Sequence, residues 1–315
     1  MIIEDQVMDA QERIGFRLRE LYHRHGYRRY RMSKFEEYDL YSRNKDFLFS
    51  DGVITFTDTN GRLMAMKPDV TLSIVKNGRD VPDALRKLYY HENVYRAPDQ
   101  ESGFREMTQV GVECMGPVDE ACLAEVLALA GESLALCSER YVLEISQLDV
   151  LSAAVNRVSE EKGIRKALLA CTTEKNRHGI LNLCRENGLE EKSAEPLLRL
   201  ISLYGSPASV LPELREIAGE IGAADAAEEL SEVLDQLEES GISERVLIDF
   251  SATGDLKYYN GIAFKGFIDG IPGAVLSGGQ YEPLMRRLGR KDRAIGFAVF
   301  LNQLERLTEG GGANA

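Results

Sequence analysis

Hydrophobic and polar positions alternate along this chain with two different periods. From Asp5 to His25, Ile14, Leu18, Leu21 and Tyr22 recur at spacings of three and four, which predicts an amphipathic helix stopped at Gly26. VITFTD and RLMAMKPDVT then alternate with period two on either side of Thr59-Asn60-Gly61, and Asn-Gly between such runs predicts a hairpin. The second run carries Lys67, Pro68, Asp69 and Thr71 at its end. Leu88 to Tyr95 and Arg105 to Met115 read as strands joined by the polar loop APDQESGF. Asp119 caps a helix reaching Cys137, with Leu123, Val126, Leu127, Ala130 and Leu134 on one stripe, and Tyr141 to Ile145 is a strand. From about Leu151 to Ser240 the pattern is Leu, Ala and Glu at helical spacing, broken at Asn187-Gly188, Gly205-Ser206-Pro207 and Gly222. Strand texture returns in RVLIDF, KYYNGIAFKGF and GAVLSGG, with a turn at Asp269 to Gly273. AIGFAVFLNQLERL reads as a strand leading into a helix.

These elements predict an α+β fold. An antiparallel sheet flanked by helices, 1–150 and 241–308, is split by a helical insertion, 151–240, and 309–315 form a flexible Gly-rich tail. One strand breaks its own pattern. Within QVGVECMG, Val110, Val112 and Cys114 share one face, while Gln109, Gly111 and Glu113 share the other. An amide, a missing side chain and a carboxylate on one buried face predict a floor on which a small polar ligand lies close to the backbone.

Charge narrows the ligand. Lys plus Arg number 38 against 51 Asp plus Glu, and the net charge of -13 argues against a broad nucleic-acid or anionic-membrane surface. The local run Arg13, Arg17, Arg19, Arg24, Arg28, Arg29 and Arg31 reads first as a solvated face. No stretch approaches the roughly 18 apolar residues of a membrane span, and the acidic start lacks the basic region of a signal peptide, so no membrane partner and a cytoplasmic location are expected. Cys114, Cys122, Cys137, Cys171 and Cys184 are odd in number and never spaced C-x-x-C, as expected of reduced core thiols. No metal and no cofactor is expected.

Three blocks, MKPDVT, YR…GFRE…QVGVECMG and LKYYNGIAF with SGGQYEPL, stand in an order and spacing that resembles the catalytic domain of histidyl-tRNA synthetase, a class II fold. YR…GFRE…QVGVECMG resembles class II motif 2, and AIGFAVFLNQLERL resembles motif 3. The resemblance covers nearly the whole chain and rests on several separated blocks that agree in order. It implies a histidine-like pocket in which Asp69 and Thr71 hold the α-amino group, Gln109 faces the polar end of the amino acid, and Glu113 with Tyr259 meets the imidazole. Arg96 counts with this pocket as well, and Arg96 and Arg105 are what the resemblance leaves of an ATP site. Asp69 stands where the family has the longer Glu, and Tyr258 reads as core. Read without the resemblance, the alternative for Glu113 is a buried acid paired with a structural Arg.

The departures bear on chemistry. Gly254 occupies the place of the family's histidine-specific arginine, and Gln303 that of the motif 3 arginine that grips ATP. The Arg-x-Glu of motif 2 is Arg96-Ala97-Pro98, and the motif 1 proline position holds Ser33. Losing two cations from a phosphoryl-handling site removes electrostatic stabilisation, the dominant catalytic contribution in most such sites, which argues against amino-acid activation. The sequence given also stops soon after motif 3, where the synthetases continue into an anticodon-binding domain.

This combination resembles the family of ATP phosphoribosyltransferase regulatory subunits, synthetase paralogues that join a short catalytic subunit in the first step of histidine biosynthesis. The resemblance implies a non-catalytic chain, with no catalytic residues of its own, that self-associates as a dimer, forms a hetero-oligomer with the short-form ATP phosphoribosyltransferase and binds histidine in feedback inhibition. The competing readings are a stand-alone synthetase-like paralogue acting as a tRNA sensor through the Arg13 to Arg31 run, or one retaining weak amino-acid activation through Arg96 and Arg105.

Overall fold

A computed structural model describes residues 7–45, 48, 52–78, 84–96, 103–251 and 258–304. The chain forms two compact units: Met1–Val118 with Glu132–Tyr141 and Phe267–Ala315, and Asp119–Gly131 with Val142–Gly266.

In the first unit, helix α1 (Ala10–Arg24) buries Gly15, Leu18, Leu21 and Tyr22. It starts at Ala10 rather than at Asp5 because Asp9 and Glu12 form a reciprocal capping box, Glu12 N–H donating to Asp9 Oδ1 at 2.8 Å and Asp9 N–H to Glu12 Oε2 at 3.0 Å. Its buried Tyr22 shares a hydrogen bond of 3.0 Å with Ser133 and meets Phe297 edge-on at 5.9 Å. A two-residue strand β1 (Arg28–Arg29) follows, then β2 (Phe35–Glu37), helix α2 (Tyr38–Ser42), and the predicted hairpin of β3 (Thr55–Thr57) and β4 (Leu63–Met66). Strands β2, β4 and β3 form a small antiparallel sheet. Gly61, at φ +79°, closes the hairpin, and Asp58 Oδ1 accepts from the N–H groups of Asn60 and Arg62. Helix α3 (Thr71–Asn77) leads to β5 (Arg86–Arg96) and β6 (Arg105–Gly116), a long antiparallel pair. The polar loop expected between them lies mostly outside the described residues.

Helix α4 (Glu120–Cys137) is capped as expected, Cys122 N–H donating to Asp119 Oδ1. Helix α11 (Glu282–Arg287) and strands β11 (Leu276–Gln280) and β12 (Arg293–Phe300) complete the first unit. Its main sheet runs β1-β5-β6-β12-β11, antiparallel except where β1 joins β5 in parallel. Motif 3 ends in a 3₁₀ turn, Leu301–Leu304. The helix predicted after it, and the tail, lie outside the described residues.

The second unit holds β7 (Tyr141–Gln147), β9 (Val246–Asp249) and β10 (Asn260–Ile268), with helices α5 (Leu148–Val158), α6 (Lys162–Thr173), α7 (Arg177–Glu186), α8 (Glu195–Leu200), α9 (Pro207–Glu220) and α10 (Ala224–Leu237). Strands β7 and β9 are parallel. The predicted helical stretch is interrupted by a short strand β8 (Tyr204–Gly205), which adds antiparallel to β9 where Gly205-Ser206-Pro207 breaks the helical pattern. Leu151, Val155, Leu168, Leu197, Leu214 and Leu230 are fully buried, so the helices close around an aliphatic core.

Candidate functional site

MKPDVT folds as a strand end followed at once by a helix start. A short helix leaves its first N–H groups without partners, and Asp69 supplies one, Oδ1 accepting from Leu72 N–H at 2.7 Å. Thr71, the first residue of α3, donates its hydroxyl to Glu113 Oε1 at 2.5 Å. Arg96, at the end of β5, donates Nε to the carbonyl of Pro68 at 2.9 Å and acts electrostatically on Asp69. Lys67, though 1% exposed, is held by an ion pair with Glu92. The segment is thus fastened to β5 by Lys67 and Arg96 and to β6 by Thr71.

The sheet register explains the floor. Glu113 lies opposite Leu88 on β5 and Gly296 on β12; Gln109 lies opposite Glu92 and Phe300; Gly111 lies opposite Tyr90 and Ala298. A Cβ on Gly111 would sit 2.6 Å from the Tyr90 hydroxyl and 2.2 Å from the Phe297 carbonyl. The open space expected over Gly111 is therefore corrected: the cross-strand phenol of Tyr90, itself buried, covers that glycine. The clearance lies instead at Gly296, where a Cβ would stand 2.0 Å from Glu113 Oε2. Glu113 can lie flat across β12 only because its neighbour there has no side chain. Sequence reasoning missed Gly296, although a lone glycine inside the apolar run AIGFAVF signals a close approach.

Burial pushes the Glu113 carboxyl up to about 8; the Thr71 and Tyr281 hydroxyls oppose the shift and the Asp69 carboxylate reinforces it. Glu113 forms no ion pair among the described residues, so the alternative of a structural Arg partner is not what the fold provides. Its Oε2, although buried, has no partner in hydrogen-bond geometry among them. Asp69 is likewise raised by burial, with Leu72 N–H and Arg96 drawing it back. Asp69, Thr71, Arg96 and Glu113 are thus linked to one another, and the buried Gln109 lies four residues before Glu113 on the same face of β6. The arrangement suits a small ligand carrying several N–H donors and a negative group.

The remaining predicted residues are placed as follows. Arg105 opens β6 opposite Arg96 and is exposed. Tyr259 belongs to the second unit, buried and edge-on to Tyr258 at 4.8 Å. Gln303 is exposed on the 3₁₀ turn after β12, while its neighbour Asn302, which the sequence did not single out, accepts Thr108 N–H at 2.6 Å beside Gln109. Gly254, Ala97 and Pro98 lie outside the described residues. The five cysteines are free. No helix among the described residues is long and apolar enough to cross a membrane.

Comparison with known proteins follows the geometry. The histidyl-tRNA synthetase family profile matches residues 4–304. An ATP phosphoribosyltransferase regulatory subunit from Caldanaerobacter subterraneus subsp. tengcongensis is 30% identical over 307 residues, covering 94% of this chain and 78% of the relative. One from Alkaliphilus metalliredigens is 26% identical over 313 residues, covering 96% and 79%. Among solved structures, an ATP phosphoribosyltransferase regulatory subunit/histidyl-tRNA synthetase from Bacillus halodurans superposes with a TM-score of 0.83 at 25% identity, covering 94% of this chain and 79% of that one. The ATP phosphoribosyl transferase (HisG:HisZ) complex from Thermotoga maritima contains a chain of the same fold, with a TM-score of 0.72 at 19% identity, covering 93% and 98%. The α+β, class II synthetase-like architecture expected from the sequence is the observed one.

Proposed function

The chain belongs to the family of ATP phosphoribosyltransferase regulatory subunits, and from that premise we propose that it joins a short-form ATP phosphoribosyltransferase chain, which carries out the phosphoribosyl transfer, and sets that chain's response to histidine. It is a regulatory subunit of histidine biosynthesis and not the catalytic chain. In our reading the assembly is a hetero-oligomer built on a dimer of this chain through the motif 1 face, and it works in the cytoplasm, with the free cysteines in keeping with a reducing compartment. Histidine occupies the cluster of Asp69, Thr71, Arg96, Gln109 and Glu113.

The observation that carries this reading is Glu113: a buried carboxyl with one oxygen bonded to Thr71 and the other, beside the Tyr281 hydroxyl, outside hydrogen-bond geometry with any described residue, in a chain where Gly254 and Gln303 stand at the places that the resemblance gives to the histidine-specific arginine and the ATP-gripping arginine. An imidazole fits this carboxyl in either state, a ring N–H donating to Oε2 when it is ionised and a ring nitrogen accepting its O–H when it is protonated. Regulation further requires that histidine bind two states of the complex unequally, since equal affinity shifts no equilibrium.

Co-expression with a short-form catalytic subunit tests the assignment. Phosphoribosyl-ATP formation is expected only when both chains are present, and to fall on adding histidine; Glu113→Gln is expected to weaken histidine binding by roughly 1–3 kcal/mol in titration calorimetry. Activity of the catalytic chain that is indifferent to this one would refute the role, and robust pyrophosphate exchange with histidine and ATP would favour an activating enzyme instead.

A further inference from the structure

The ion pair that fastens MKPDVT to β5 also sets the charge of the site. Directly opposed residues of an antiparallel pair point their side chains to the same face, so Tyr90, Glu92, Val94 and Arg96 of β5 share a face with Gly111, Gln109, Met107 and Arg105 of β6. MKPDVT lies over that face, since Lys67 meets Glu92, the Pro68 carbonyl accepts from Arg96, and Thr71 donates to Glu113. Glu92 therefore stands beside Gln109, on the floor itself. Lys67 is fixed through its backbone, its N–H donating to the Lys34 carbonyl at 3.2 Å and its carbonyl accepting from Tyr95 N–H at 2.9 Å. The Lys67 side chain is 1% exposed against 16% for Glu92, so the carboxylate is the outer member of the pair.

We infer that Glu92 is a specificity-determining residue of this site: by holding the buried Lys67 ammonium at the Gln109 end of the floor, it lets an amino-acid carboxylate bind there and shuts out a phosphate. The inference rests on the reading that this site binds histidine, and adds the residue that excludes phosphorylated relatives of that ligand. A phosphate gives up its water only where cations replace it. Of the cations at that end, Lys67 is paired with Glu92, Arg96 is bonded to Pro68 and acts on Asp69, and Arg105 is exposed. A singly charged carboxylate can share the ammonium, because Glu92 takes one of its three donors and the Gln109 amide adds a neutral donor beside it. A doubly charged phosphate in the same place meets the Glu92 carboxylate, like charge against like charge where water is scarce. Glu92 is thus a repulsive group built against one class of ligand, in addition to the arginines this chain lacks.

Calorimetric titration of the full chain, alone and in complex with the catalytic subunit, with L-histidine and with L-histidinol phosphate tests this. The second ligand keeps the ring and the ammonium and carries a phosphate ester in place of the carboxylate. The wild-type chain is expected to prefer L-histidine by about tenfold or more. E92Q keeps the shape of Glu92 and removes its charge, and should bind L-histidinol phosphate about tenfold more tightly than the wild type does. Its melting temperature should fall in chloride, because an ammonium is left buried without its counter-charge, and recover on adding L-histidinol phosphate. K67M/E92Q removes the cation as well and should lose the gain. A pair that serves only to fasten MKPDVT would lower stability in E92Q and bring no such gain. E92Q that is neither tighter for the phosphate ester nor stabilised by it, or K67M/E92Q that keeps the gain, overturns the inference and leaves the histidine reading standing. A wild-type chain that binds the phosphate ester as well as L-histidine does the same, whereas one that binds neither ligand in either setting overturns both.

Discussion

At the scale of single residues, Glu113 holds the most consequential proton. Its ordinary value is 4.5 and burial raises it to about 8. Between those values the folded chain keeps a proton that the unfolded chain has released, so the contribution of Glu113 to stability falls as pH rises through that window. Glu113→Gln removes the titration. The variant is expected to match or trail the wild type near pH 5 and to exceed it by roughly 2–4 kcal/mol near pH 9, measured as denaturant midpoints across that range. Ligand binding should behave oppositely, since Gln cannot reproduce the carboxylate. Gly296 is the companion prediction. A methyl group there would meet Glu113 Oε2 at 2.0 Å and the Val112 carbonyl at 2.5 Å, and the second obstacle is backbone. Gly296→Ala should therefore destabilise by about 1–3 kcal/mol in denaturant unfolding, and combining it with Glu113→Ala should restore only part of the loss. Glu113 was legible in the sequence as an anomaly in an apolar strand; Gly296 became meaningful only when the register placed it opposite.

At the scale of elements, the hairpin of β3 and β4 delivers Asp69 and Thr71 to the site, and its turn is fixed by local chemistry. Asp58 accepts two backbone N–H groups, and Gly61 adopts φ +79° with open space where a Cβ would stand. Any penalty for substitution there is purely one of backbone conformation. Gly61→Ala is expected to cost about 1 kcal/mol and Gly61→Asn clearly less, because asparagine tolerates the left-handed region. Equal losses for the two, read from chemical denaturation, would locate the cost elsewhere. This hairpin was readable from Asn60-Gly61 between alternating runs because the information is local. In AIGFAVFLNQLERL the strand was equally readable, whereas the 3₁₀ segment after β12, whose Asn302 is drawn to Thr108 on β6, depends on a contact between segments far apart in sequence; the helix expected beyond it lies outside the described residues. Strand β8 escaped the pattern for the same reason: two residues carry no period, and only pairing with β9 makes them a strand.

At the scale of the whole molecule, charge sets the partners. With 51 acidic against 38 basic side chains, the Arg13 to Arg31 run is a local exception, and part of it is used internally: Arg13 Nη1 donates to the Met8 carbonyl, and Arg19 lies over the Phe16 ring. Retention of tRNA in a gel shift is expected to be absent at about 0.15 M salt, where the Debye length is about 8 Å and a small basic patch is strongly screened. Persistent retention there, lost on replacing Arg28 and Arg29, would point to a nucleic-acid surface. The sequence by itself determined the α+β class, most elements of the sheet, the family, and the polar face of Gln109 and Glu113, because periodicity, turn residues and ordered motifs are properties of the chain read in line. The tertiary structure alone decided which space that face leaves. Tyr90 covers Gly111, and Gly296 clears a place for Glu113. The physical reason is that a side chain's direction can be read from its own strand, whereas the atoms it meets belong to neighbours that only strand register and packing select.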